Sequence, residues 1–337
     1  MDIIKIKELK KTYITYERGS TFLDAVKSLF ARKSIKIEAL KGITLNVKKG
    51  ELLGFLGPNG AGKSTTLKIL TGVLYPTSGE VDIMGFTPWR QRKAYVSHIG
   101  AVFGQKSQLI WDIPPMDSFE MNRAIYGIPS SEFKPRLNEM VDMLDLGNII
   151  RKPTRQLSLG ERMKCEFIMA MLHNPSIVFL DEPTIGLDVI AKEKIRDFIR
   201  EQNKKGVTFV LTTHDLGDVE QLANRVVVVN HGEIVFDDTL DALRKLSGAK
   251  KKVSLAAKRE IPGMTGIPGV QLTAKTSPYI CEFELDMEMT DLNRFIHIIN
   301  EKYVISDLTV SEPPIENVIK ELYMKKTKPE PSQSAIF

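Results

Sequence analysis

Cysteine is scarce in this sequence: 337 residues hold two, Cys165 and Cys281, with no CxxC pair and no Cys/His cluster. That excludes a disulfide framework and a zinc site of the usual spacing, and each cysteine is expected as a small buried hydrophobe. Long apolar runs are also absent. The strongest, residues 177–180 and 226–229, have strand length, far short of the roughly 18 to 20 apolar residues that a bilayer-spanning helix needs, so the chain is not expected to form a channel by itself. The opening residues Met1-Asp2-Ile3-Ile4-Lys5 lack a basic segment followed by an apolar one and a small-residue cleavage site, and a cytosolic location is expected. There is little excess of charge of one sign: 47 Lys and Arg against 42 Asp and Glu give +5, scattered rather than gathered in a stripe. Nucleic acid is therefore not an expected partner, while anionic lipid or a loop of a membrane protein fits such a charge equally well.

What is present is the composition of an ordinary globular protein, 42% hydrophobic and 26% charged, in a chain long enough for one large domain and a smaller one. Apolar segments rich in Ile, Val and Phe alternate with segments of helical period up to about residue 240, the pattern of an α/β domain with a largely parallel sheet. Strands are predicted at residues 52–56, 177–180 and 207–211. A helix is predicted from residue 63 to about 74, stopping at Tyr75-Pro76-Thr77-Ser78-Gly79. Residues 112–172 carry helical periods instead, with Leu137, Met140, Val141 and Leu144 on one face, and are expected as a helical subdomain inserted into the core. The Lys-rich stretch 245–252 marks a boundary, so domains are expected at 1–240 and 250–326. The second is read as a small α+β domain with a βαβ-like core (279–285, 292–300, 304–310), a last helix at 315–324 and a flexible polar tail at 327–337.

Two motifs carry chemistry. The run Gly57-Pro58-Asn59-Gly60-Ala61-Gly62-Lys63-Ser64-Thr65 satisfies G-x-x-x-x-G-K-S/T between a predicted strand and a predicted helix. Gly57, Gly60 and Gly62 let the backbone curl so that successive N–H groups point inward, and the helix N-terminus adds positive potential for β- and γ-phosphates. Lys63 supplies a point charge and Ser64 a hydroxyl ligand for Mg²⁺. The second motif, residues 177–183, is a buried strand that ends in Asp181 and Glu182 at the sheet edge where open α/β folds bind ligands. Two adjacent acids beside a triphosphate repel it unless a metal compensates and one acid has another task. Asp181 is therefore assigned to Mg²⁺, through water, and Glu182 to the attacking water.

Between these motifs stands Leu157-Ser158-Leu159-Gly160-Glu161, which resembles the LSGGQ signature of the ATP-binding cassette superfamily. Ser158 and the amides around Gly160 open a predicted helix from about residue 161 to 172, offering a hydroxyl and a positive dipole end to a phosphate. Leu159 and Glu161 depart from the signature. The resemblance covers about residues 1–240, and further positions match the family in order. Gln105, in VFGQKSQL, corresponds to the glutamine that touches Mg²⁺ and relays nucleotide state to the permease. His214, in LTTHD, corresponds to the switch histidine that contacts the γ-phosphate. Asp188 corresponds to the carboxylate at the dimer seam, and Tyr13, in KKTY, to the aromatic that stacks on adenine.

The resemblance implies a P-loop cassette fold and an ATPase with ATP and Mg²⁺ as its ligands. Because the family's signature completes a neighbouring subunit's site, it also implies a second cassette, with a homodimer favoured and a heterodimer open, and integral-membrane permease subunits as partners on the cytoplasmic face of the cell membrane. The stretch 100–112 and the ending SEPPIENVIKELY are similar to cassettes of drug- and lipid-type exporters. An importer cassette with a regulatory C-terminal domain and a soluble cassette ATPase acting on ribosomes or DNA stand as alternatives. Within residues 21–34, Phe22, Val26, Leu29 and Phe30 share a helical face with Lys27, Arg32 and Lys33 nearby. This reads as a surface helix packed on the cassette, or as a contact with permease or inner leaflet.

Overall fold

The computed structural model describes residues 1–16, 34–104, 106–246, 248, 250–261 and 266–325. Gln105, the amphipathic stretch 21–33 and the tail 327–337 lie outside the described residues. The chain divides into two compact units, Met1–Asp238 and Thr239–Phe337. Strands of the first follow in the order β1 (Asp2–Tyr16), β2 (Ser34–Lys48), β3 (Leu52–Leu56), β4 (Ser78–Ile83), β5 (Ile99–Phe103), β6 (Ile177–Asp181), β7 (Thr208–Thr213), β8 (Arg225–Asn230) and β9 (Glu233–Thr239).

They form two sheets. One is antiparallel, in the order β2-β1-β4; the other has the order β5-β6-β7-β3-β8-β9, with parallel pairs from β5 through β8. The sequence shows why. β3 and β7 are buried along their whole length, and such unbroken runs suit parallel strands covered on both faces. β2 alternates buried Ile43, Leu45 and Val47 with exposed polar neighbours, as a sheet with one solvated face requires. Its apolar face packs with Ile4 and Ile6 of β1, Leu53 and Phe55 of β3, and Leu67, Ile69 and Leu70 of the helix Lys63–Leu70 in one cluster. The β8–β9 turn is His231-Gly232, with φ of 47° and 80°, the signs that a two-residue hairpin matching the strand twist demands.

The parallel register brings the chemistry to one edge. Leu56 pairs with Thr213 and Asp181 with Thr212, so Gly57, Glu182 and His214, each following its strand, emerge side by side. Between β5 and β6 lie the helices Pro115–Tyr126, Ser130–Met143 and Leu159–Met171. Leu137, Met140, Val141 and Leu144 are all buried there. The helix after the phosphate loop stops at Leu70, four residues short of the predicted end. Gly72 adopts φ 69°, and the N–H groups of Gly72 and Val73 turn back to the carbonyls of Ile69 and Lys68, closing the helix before the proline is reached.

In the second unit, β10 (Lys250–Ala257), β11 (Val270–Ser277), β12 (Ile280–Asp286) and β13 (Ile305–Ser311) give a sheet in the order β11-β12-β10-β13. β12 and β13 each pair antiparallel with β10. The β12–helix–β13 crossover is therefore a split βαβ, with β10 inserted between the two parallel strands. The Lys-rich stretch read as a boundary in fact enters β10, the strand on which the sheet is built. Lys250 and Lys252 face Glu284 and Glu282 at 2.8 and 2.9 Å, while Val253, Leu255 and Ala257 point to the opposite face and pack with Phe283, Phe295 and Ile299. The apolar alternation at Val253, Leu255 and Ala257 is a strand signal that the three preceding lysines hide.

A buried ion pair fastens the helix Val189–Lys204 in the first unit. Arg196 donates to Asp218 Oδ1 from Nε at 2.9 Å and from Nη2 at 2.6 Å, and the Thr184 hydroxyl donates to the other carboxylate oxygen. Asp218 is fully buried. Removing one partner leaves the other charge buried and uncompensated. Asp218→Ala is expected to destabilise the first unit by about 3 to 5 kcal/mol, read as a shift in the urea midpoint at unchanged slope.

Candidate active site

The phosphate loop owes its shape to close contacts that only glycine permits. A Cβ on Gly57 would lie 2.5 Å from the Val229 carbonyl, and one on Gly62, where φ is 110°, would lie 2.7 Å from both the Ala39 carbonyl and Leu40 Cδ2. Gly60 has open space around it, and its φ of 82° is what demands glycine there. Pro58 accepts the Ala61 N–H at 3.1 Å, tightening the turn. The helix begins at Lys63, so the first-turn N–H groups of Lys63, Ser64 and Thr65 have no partner within the helix and point into the loop. An anion fits this cradle.

Lys63 is buried, its Nζ donating to the Gly57 carbonyl at 2.6 Å and the Pro58 carbonyl at 3.2 Å. Burial pushes its ammonium below the ordinary lysine value, against the opposing pull of the Glu182 and Asp181 carboxylates. The lysine is thus held folded over the loop that it serves.

Asp181 Oδ1 accepts from Ser64 Oγ at 2.9 Å and from Thr212 Oγ1 at 2.6 Å. A hydroxyl and a carboxylate oxygen are hard donors of the type Mg²⁺ selects. Among the described residues there is no group of three or more His, Cys, Asp or Glu that could hold a metal ion. Glu182 adopts φ 51°, a left-handed conformation uncommon for a residue with a side chain and concentrated at functional sites. Its N–H donates to the Thr212 carbonyl at 2.9 Å, and its Oε1 lies 3.1 Å from His214 Nδ1. Gly104 abuts the Glu182 carbonyl so closely that a side chain could not be accommodated.

Asn59, Ser64, Asp181, Glu182 and His214 line one cleft of about 440 Å³ together with Lys68, Phe103, Gly104, Lys106 and Ile185. The last five were not singled out by the sequence. Lys68 follows Ser64 by one helical turn, a spacing that could have flagged it. Phe103, Gly104 and Lys106 surround Gln105, whose own placement lies outside the described residues.

Tyr13, Ser158, Gly160 and Asp188 do not line this cleft. Tyr13 lies on β1, opposite Ile37 of β2, with the Lys11 ammonium 5.3 Å from its ring centroid. Ser158 caps the helix Leu159–Met171, which starts two residues earlier than predicted: its Oγ accepts from the Glu161 N–H at 3.2 Å, and Glu161 Oε2 accepts from the Ser158 N–H at 2.8 Å. Glu161, a departure from the family signature, therefore completes a capping box. Asp188 caps the next helix by accepting from the Ala191 N–H at 2.8 Å. A Cβ on Gly160 would stand 3.0 Å from Ala191 Cβ, so these two helix starts pack together.

The family model described as ABC transporter matches residues 40–185. The chain is 30% identical over 244 residues to a lantibiotic transport ATP-binding protein of Streptococcus pyogenes, covering 72% of this chain and 94% of that one. It is 32% identical over 214 residues to a daunorubicin resistance ATP-binding protein of Streptomyces coeruleorubidus, covering 64% and 67% respectively. Among solved structures it is similar, at TM-score 0.59 and 29% identity over 70% of this chain and 98% of the other, to a dimeric ATP-binding cassette in a post-hydrolysis state bound to ADP and Pi. A phosphate loop set against Asp181 and Glu182 on a cassette fold, with relatives matched over most of their length, places this chain among the ATP-binding subunits of ABC transporters, as an ATPase.

Proposed function

We propose that this chain powers an export permease by binding and hydrolysing Mg-ATP between two copies of itself at the cytoplasmic face of the membrane. The observation that carries the reading is the meeting, in one cleft, of Ser64 with Asp181 and of Glu182 with His214 beside the phosphate loop. Lys63 and the loop N–H groups from Asn59 to Thr65 hold the phosphates, and Tyr13 takes the adenine. Ser64, Asp181 and Gln105 hold Mg²⁺, which supplies charge neutralisation at the transferred phosphoryl group. Glu182 accepts the proton of the attacking water. His214, donating from Nδ1 to Glu182, keeps that carboxylate oriented and turns its other nitrogen toward the γ-phosphate.

A second copy supplies what the cleft lacks. Ser158, Gly160 and Asp188 stand outside it, and Val189 and Ile190, next to Asp188, are 79% and 76% exposed, an apolar pair suited to a seam. For the permease, a groove of about 340 Å³ lined by Val73, Val96, Ile125, Tyr126 and Met169 is the surface we assign, with Ile125 76% exposed. Among the described residues no helix is long and apolar enough to cross a membrane. The names of the relatives, daunorubicin resistance and lantibiotic transport, support export.

Glu182→Gln is expected to lower ATP turnover by about 10²- to 10⁴-fold and to trap an ATP-bound dimer, seen by phosphate release and light scattering. Unchanged turnover would remove Glu182 as the base. Ile190→Asp is expected to abolish ATP-dependent dimerisation while nucleotide binding to the monomer persists, measured by sedimentation and by fluorescence titration. Ile125→Glu is expected to leave the ATPase activity of the free subunit intact and to release it from membranes in flotation.

A further inference from the structure

The helix that follows the signature carries a buried carboxylate that none of the roles above uses. Glu166, on Leu159–Met171, is 3% exposed. Its Oε1 accepts from Ser107 Oγ at 2.5 Å, the Gln108 N–H at 3.0 Å and the Leu109 N–H at 3.4 Å; its Oε2 accepts from the Gln108 N–H at 3.1 Å. A carboxylate is held in such a place only where donors are built around it. All of these come from one run of chain.

That run begins at the wall of the nucleotide cleft. Phe103, Gly104 and Lys106 line the cleft, and Lys106 donates its N–H to the Phe103 carbonyl at 3.0 Å. The next residues are Ser107, Gln108 and Leu109. Further fastenings follow along the same strap. The Arg162 guanidinium lies 6.0 Å from the Trp111 ring centroid, the Arg155 N–H donates to the Trp111 carbonyl at 3.0 Å, and Arg155 pairs with Asp112 at 2.9 Å. Thr154 donates its N–H and its hydroxyl to the Ile113 carbonyl at 3.0 and 2.9 Å. Residues 107–113 are therefore tied at successive points to the signature helix and to the turn that leads into it. Glu166 supplies the tie nearest the cleft, and it is the charged one among the buried ties.

We propose that Glu166 is a positioning residue that locks the cleft wall at Phe103, Gly104 and Lys106 to the signature helix, so that a shift of the wall carries Ser158 and Gly160 with it as one body. Its role in turnover rests on the ATPase reading above; the tie itself does not. The other fastenings are a cation–π contact, an exposed ion pair and neutral hydrogen bonds to the Trp111 and Ile113 carbonyls, each weaker than a buried carboxylate with three donors.

The test is hydrogen exchange on the nucleotide-free full chain, followed by steady-state ATPase kinetics, for wild type, Glu166→Ala, Glu166→Gln and Ser107→Ala. In Glu166→Ala the Gln108 and Leu109 amides are expected to exchange about tenfold or more faster, with the amides of the helix Lys63–Leu70 unchanged. Its kcat is expected to fall by about ten- to a hundredfold at unchanged KM for ATP, because the phosphate loop is untouched. Glu166→Gln, which keeps an acceptor and the shape, should recover much of the rate. Should Glu166→Ala fail to fold, Ser107→Ala carries the test, with a smaller loss in kcat at constant KM. Unchanged exchange at residues 108 and 109, or kcat and KM that move together, overturns the proposal and leaves the ATPase reading standing. Faster exchange in a protein whose wild type turns over no ATP sinks the motor reading, and the coupling role with it.

Discussion

Asp181 joins three parts of the chain that are far apart in sequence. It ends β6, accepts the hydroxyl of Ser64 from the helix that follows β3, and accepts the hydroxyl of Thr212 from β7. Those bonds are possible only because three parallel strands end level with one another, and the strands end level because each is apolar enough to be buried on both faces and must pair in register. The position of Glu182, and through it of His214, is set by that same edge, since Glu182 follows Asp181 directly and its N–H is held by Thr212. The site is a consequence of how the sheet ends.

Around that edge the first unit buries an unusual set of charges, and each is met by partners. Lys63 lies on the carbonyls of its own loop, Asp218 faces Arg196 and Thr184, and Glu166 faces Ser107 and two backbone amides. A buried charge without partners costs several kcal/mol, so each of these side chains pins the segment that satisfies it. Lys63 fixes the loop, Asp218 the start of the helices beyond β6 and β7, and Glu166 the strap that leaves β5. The segments pinned in this way are the ones that surround the candidate cleft or lead out of it.

The second unit is built on a different principle, a sheet with one apolar face and one ladder of lysine and glutamate. Exposed pairs of that kind contribute little to stability, but they set the register of β10 against β12, because a slip by one residue would turn Val253 and Leu255 outward. Its core is its own, centred on Phe283 and Phe295, whose rings meet edge to face at 5.8 Å.

Local patterns in the sequence sufficed for the turn of the glycine-rich loop, the acidic strand end, the three central strands β3, β6 and β7 and the inserted helices, because each is governed by interactions between near neighbours: glycine's freedom at Gly60 and Gly62, an unbroken apolar run, a helical period, a capping residue. They did not suffice where the partner is distant. β10 was hidden because its lysines announce themselves and the strand pairing does not. The early end of the helix Lys63–Leu70 depends on the φ that Gly72 adopts, whereas the breaker most visible in the sequence, Pro76, lies further on. Glu166 and Asp218 look like ordinary helical acids until Ser107 and Arg196 are seen to face them. What the sequence determined by itself is where the glycine-rich loop curls and which central segments form strands, since those preferences are local. Which charges are buried, and which residues wall the cleft beside them, only the tertiary structure decided, because that depends on contacts between residues far apart in sequence, such as Ser64 and Asp181, 117 positions apart.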